Sequence, residues 1–187
     1  MGGRIRQTKI YARVAFSVLI FFMSAGVLAS DNSISQSELK ESIGLAEELR
    51  KQEHDLIELE IELLILAESL YQKPDYQLLQ NIVHAISELE IICHYEAEIL
   101  EYFDFIKGDI SKLAFLVIKR NKMARISRMV MDNHHVKIIS EIETRLKEKE
   151  ALDLAKKANE IASQSIQSLK RVIDFYNRNA SKSLRKY

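Results

Sequence analysis

Met123, Met129, Met131, His134 and His135 crowd into one short stretch of the chain. Thioether and imidazole groups are the ligands that suit copper. On a continuous helix Met131 lies one turn from both His134 and His135, which makes Met131, His134 and His135 the candidate ligand set for a copper-type metal. The competing reading needs no metal: methionine fills irregular gaps between helices, and paired histidines suit a polar bend. No spacing in the stretch is diagnostic of a ligand set.

Carboxylates alternate with histidines elsewhere, as His84 with Glu88 and as Glu90, His94 and Glu98, all at steps of four. Di-iron bundles need Glu-x-x-His on two helices, and that spacing occurs nowhere in the chain. The expectation for these residues is exposed pairing on one helix surface. Catalytic signatures are also missing: there is no Gly-x-Ser-x-Gly, His-Glu-x-x-His, Cys-x-x-Cys or glycine-rich phosphate loop. No catalytic residue and no resident cofactor is assigned. Cys93 is the one cysteine, so a disulfide framework is excluded and a buried, reduced thiol is the default.

A third group is cationic. Lys119, Arg120, Lys122, Arg125 and Arg128 form a basic run, and Lys170, Arg171, Arg178, Lys182, Arg185 and Lys186 form another toward the C-terminus, with a basic tail from about residue 178. Inside a cell such runs invite nucleic acid, but the N-terminus argues for export. Arg4, Arg6, Lys9 and Arg13 precede an uncharged stretch from Val14 to Ala29 that ends in small residues. That is the layout of a secretory signal peptide, with cleavage expected between Ala29 and Ser30 and a bacterial periplasmic or secreted destination. Nucleic acid is then not the expected partner. The counterparts left are a protein, a second copy of the chain, anionic components of the cell envelope, or acidic surface within the chain itself, the simplest of the four.

The elements that position these groups follow from the breakers. After residue 29 the chain holds only Gly44, Gly108 and Pro74, so long helices are expected. The first opens at Ser35, with Glu38 completing a capping box, passes through Gly44, and stops before Pro74. The second starts with Asp75 as N-cap and runs to Lys107, with Gly108 at the C-terminal cap and Asp109 capping the next helix. Its apolar stripe comprises Leu79, Ile82, Val83, Ile86, Leu89, Cys93, Ala97, Leu100 and Phe103. A break is expected at Asp132 and Asn133. A final stripe of Ile139, Ile142, Leu146, Leu152, Ala155, Ala162, Ile166, Leu169, Ile173 and Tyr176 slips in phase between Leu146 and Leu152. A break within Arg145 to Glu150 is the alternative, in a stretch made of good helix formers. The fold expected is all-α: an extended antiparallel helical bundle or coiled-coil hairpin of three to four long helices, in one domain over residues 30–187.

Charge is segregated along this architecture. Residues 31–106 carry 18 acidic and 4 basic side chains, and residues 107–187 carry 9 acidic and 19 basic. Such asymmetry favours pairing of the two halves, within one chain or between chains. The functional expectation is an exported protein that acts by protein–protein interaction or scaffolding through complementary charged helices, with Lys119, Arg120, Lys122, Arg125 and Arg128 as partner-binding residues. The alternative is a copper-type metal-binding bundle.

Overall fold

The computed structural model describes the backbone of residues 35–105 and 120–184, with side chains over 35–101 and 126–178. Residues 1–29, read above as a signal peptide, the helix end expected at Lys107 to Asp109, and Lys119 lie outside the described residues. Capping chemistry sets the first boundary. Ser35 has extended backbone (φ −67°, ψ 148°), its Oγ accepts from the Glu38 amide, and Glu38 Oε2 accepts the Ser35 amide at 3.0 Å. Two of the donors that open a helix are thereby satisfied, and α1 runs over Gln36–Ser69. Gly44 stays helical, because one glycine costs too little to end a long helix. The turn that follows places Gln72 at φ 73°, and Pro74 opens α2 (Pro74–Phe105), where a missing amide hydrogen costs nothing.

Two breaks shape the rest. The break at Asp132 and Asn133 is present, with Asn133 left-handed at φ 52°, a conformation that asparagine tolerates. It separates α3 (Arg120–Met131) from α4 (His134–Glu143). A second break follows over residues 144–148 before α5 (Lys149–Leu184), at the place read above only as the alternative. Its cause is Asp75. This residue does not cap α2; it sits inside the first turn, 1% exposed, and its Oδ2 accepts the backbone amides of Lys147 at 2.9 Å and Glu148 at 2.7 Å. Glu148 is the N-cap of α5, its carbonyl accepting from the Leu152 amide. A buried carboxylate on α2 thus starts the last helix.

Cross-helix contacts fix the topology. From Glu62–Lys157 through Gln52–Ser165 to Glu41–Arg178, numbers fall along α1 as they rise along α5, so these helices are antiparallel. α2 meets α5 in the same direction, from Asp75–Glu148 to Glu96–Tyr176. The result is an all-α bundle: a three-helix seam of α1, α2 and α5, with α4 packed on α2 and α5, and α3 on α4 and α5. The core of the seam is Leu49, Leu56, Leu59 and Leu63 of α1 against Leu79, Ile82, Ile86, Leu89 and Leu100 of α2. Each such side chain contributes roughly 1.5–3 kcal/mol by burial. From α5 come Ala151, Ala155, Ala158 and Ala162, then Ile166, Leu169, Val172 and Phe175. The expected stripe is corrected in phase: Ala151, Val172 and Phe175 are buried, while Leu152, Ile173 and Tyr176 are half-buried, because the break resets the helix.

Candidate functional site

Polar side chains cross the apolar seam in one region. Ser165 of α5 is fully buried and donates to Gln52 Oε1 of α1 at 3.1 Å. Ser168 donates to Glu48 Oε1 at 2.6 Å, and Tyr176 donates to Glu96 Oε2 of α2 at 3.0 Å. Cys93 lies among them, fully buried and unpaired in a disulfide. Burial, followed by the charges of Glu53, Glu96 and Glu90, pushes its thiol well above the ordinary range. A thiol held protonated is a poor nucleophile, so Cys93 serves packing here, as its default reading has it.

Beside this layer lies a half-buried charged network. Arg50 of α1 donates through Nε and Nη2 to the two carboxylate oxygens of Glu101, both at 2.8 Å, and through Nη1 to Glu53 at 2.9 Å. The bidentate bond to Arg50 holds the Glu101 carboxyl below its usual range. His94 Nδ1 stands 2.7 Å from Glu53 Oε1, and its Nε2 is 3.5 Å from Glu98. The reading of Glu90, His94 and Glu98 as exposed pairs is therefore corrected: Glu90 is 2% exposed, and His94 turns inward to a carboxylate on α1. A helix-surface argument cannot see a partner supplied by another helix. Among the described residues no cluster of three His, Cys, Asp or Glu side chains could hold a metal ion.

The residues read as copper ligands are distributed unevenly. Met131 is 54% exposed at the end of α3, His134 is exposed, and His135 is fully buried. The left-handed Asn133 removes the continuous helix on which their spacing was counted. The two imidazoles meet edge to face with centroids 5.7 Å apart. His135 Nε2 lies 3.3 Å from Glu88 Oε2, and Nδ1 is buried without a partner. Desolvation lowers the His135 pKa, with Glu88 opposing. Glu88 thus serves α4 rather than its own neighbour His84.

Of the basic run, Arg120, Lys122 and Arg125 lie on α3 with side chains outside the described residues, and Arg128 is exposed in its last turn. The pairing between halves of the chain is made instead by α5. Lys157 meets Glu62 at 2.7 Å, Arg171 meets Glu48 at 2.8 Å, and Arg178 meets Glu41 at 2.6 Å. All are partly exposed, so each is worth little alone.

The side of α1 that faces away from the seam carries a feature that the charge pattern concealed. Ile61, Leu64 and Ile65 are 49%, 38% and 66% exposed, with half-buried Ile57 one turn before them. They recur at helical spacing opposite the buried leucines. Residues 52–72 around them hold six carboxylates and no lysine or arginine. The signal was available: Leu63 to Ala67 is a run of five apolar residues, more than one face of a helix can bury. No family model, curated protein or solved structure matches the chain.

Proposed function

We propose that this protein works outside the cytoplasm as a helical docking scaffold, binding a cationic amphipathic helix of a partner protein along the outer face of α1. The observation that carries the reading is the exposed stripe of Ile61, Leu64 and Ile65, with half-buried Ile57 one turn before it, within a segment that holds carboxylates and no lysine or arginine. Apolar side chains at this spacing are what a second helix covers. The flanking Glu58 and Glu68, both exposed, would attract lysine and arginine and repel acidic surfaces. A second copy meeting the same face would bring carboxylates against carboxylates. The stripe also spans about 12 Å of helix, a short strip against the roughly 800 Å² per partner of a stable dimer. Export rests on the Arg4 to Ala29 pattern, and an intact mass that begins at Ser30 is the expected result for the exported protein.

The test is binding of two synthetic helical peptides that share one apolar ridge, flanked in one by lysines and in the other by glutamates. The lysine peptide should bind at least tenfold more tightly, and Ile61→Ser with Ile65→Ser should weaken it at least tenfold while helical content is unchanged. Equal binding of both peptides, or binding indifferent to the two serines, would refute the reading. A dimer dissolved by the serine variant would replace the cationic partner with a second copy.

A further inference from the structure

Glu96 is a buried carboxyl on α2 that meets a side chain of α5. It is 6% exposed, and its hydrogen bond comes from the Tyr176 hydroxyl on α5 at 3.0 Å. Tyr176 is half-buried, with the hydroxyl at its buried end. One turn before Glu96 on α2, Cys93 has Glu53 of α1 and Glu90 of α2 near its thiol and Ser165 of α5 bonded to it. The α1 cation of this region, Arg50, is engaged by Glu53 and Glu101. Among the described residues, burial and the Tyr176 hydroxyl are what act on the Glu96 carboxyl, so an ionised Glu96 would sit in an apolar seam with a neutral phenol as its donor. Nearby on α5, Arg171 and Arg178 reach α1 through partly exposed ion pairs, which hold weakly.

We propose that Glu96 and Tyr176 form a proton-controlled latch between α2 and α5: with Glu96 protonated the C-terminal turns of α5 stay docked, and ionisation of Glu96 multiplies their opening. Burial raises the Glu96 carboxyl to about 7, and the Tyr176 hydrogen bond opposes that rise without cancelling it. The sign follows from linkage. A carboxyl whose pKa is raised in the docked state favours docking below its ordinary value of 4.5, and that favour is lost as pH rises through the docked value. With those two values the opening equilibrium grows by roughly tenfold between pH 6 and pH 9, nearly all of it below pH 8. Phe175 and Val172 beside the latch remain apolar anchors, so the change is in how often the turns open, not in whether the bundle is folded.

Hydrogen exchange of the full chain, corrected for the intrinsic pH dependence of amide chemistry, reads this directly. Protection over Val172 to Tyr176 should fall about tenfold from pH 6 to pH 9, while Ala151 to Ala162 keeps its protection. In Glu96→Gln the difference between the two segments should vanish. In Tyr176→Phe the docked carboxyl loses the donor that held its pKa down, so the loss of protection should continue to higher pH and exceed that of wild type. Uniform loss along all of α5, unchanged protection at pH 9, or pH dependence that survives in Glu96→Gln would each overturn the latch. Tyr176→Phe, which keeps the ring, decides the matter if the glutamine variant does not fold.

Discussion

Asp75→Ala removes the one side chain that holds the amides of Lys147 and Glu148, so both donors are left without an acceptor in a half-buried break. A hydrogen bond to a charged group is worth about 1.5–3 kcal/mol, and a buried donor left unpaired costs about 1–3 kcal/mol. The two bonds share one carboxylate oxygen, and the break relaxes toward water once the side chain is gone, so the total falls near 3 kcal/mol rather than twice that. For a chain of this size each kcal/mol lowers Tm by about 2–4 °C, which predicts a fall of about 6–12 °C. Asp75→Asn keeps an acceptor and loses mainly the attraction between a carboxylate and the start of α5, worth about 1 kcal/mol. It also sets an amide nitrogen where Oδ1 is now buried without a partner. Thermal unfolding by circular dichroism supplies the order wild type, Asn, Ala. Hydrogen exchange supplies the location: the first turn of α5 should lose protection before the first turn of α2 does. An alanine variant within about 1 kcal/mol of wild type, or one that loosens α2 first, would refute the assignment of Asp75 to α5.

Two further outcomes follow from other residues. His135 is buried with a lowered pKa, so the fold holds it neutral; its contribution is complete above its ordinary value of 6.5 and is lost as pH falls. Tm measured from pH 7 to pH 5 should therefore drop less in His135→Leu than in wild type, and an equal drop would show that the acid sensitivity lies elsewhere. Gly44 is exposed within α1, and a methyl group there would meet nothing within 4 Å. Gly44→Ala should stabilise by about 0.5–1 kcal/mol, read as a raised denaturation midpoint at unchanged slope, and a lowered midpoint would mean that the position does more than continue a helix.

What could be read from the chain alone was whatever local chemistry decides. Ser35 and Glu38 close their own capping box, Gly44 is outvoted by its neighbours, and Asn133 supplies a left-handed residue where the helix breaks. The α2 stripe from Leu79 to Leu100 is buried as its spacing requires. Where the reading went astray, a distant residue had intervened. Nothing in Arg145 to Glu150 forbids a helix; Asp75, some 70 positions earlier, captures the amides that a helix would have used. His94 looked like half of a surface pair until Glu53 of α1 was opposite it. The outer face of α1 was obscured for a different reason. Its net charge is dominated by carboxylates, and a net charge carries no sign of the apolar side chains standing between them.

The two halves of α5 present unequal surfaces to the seam, alanines from Ala151 to Ala162 and bulky residues from Ile166 to Phe175. Helices that meet through small side chains lie at the near end of the usual interaxial range, and those that meet through large ones lie farther apart. The bundle should therefore tolerate sequence drift asymmetrically. Near the Asp75 break enlargement is the hazard, since Ala158→Leu would have to force two backbones apart. Near Tyr176 truncation is the hazard, since Phe175→Ala would leave a hole that stiff neighbours cannot close. A single helix is thus under opposite size limits at its two ends, an upper bound at one and a lower bound at the other.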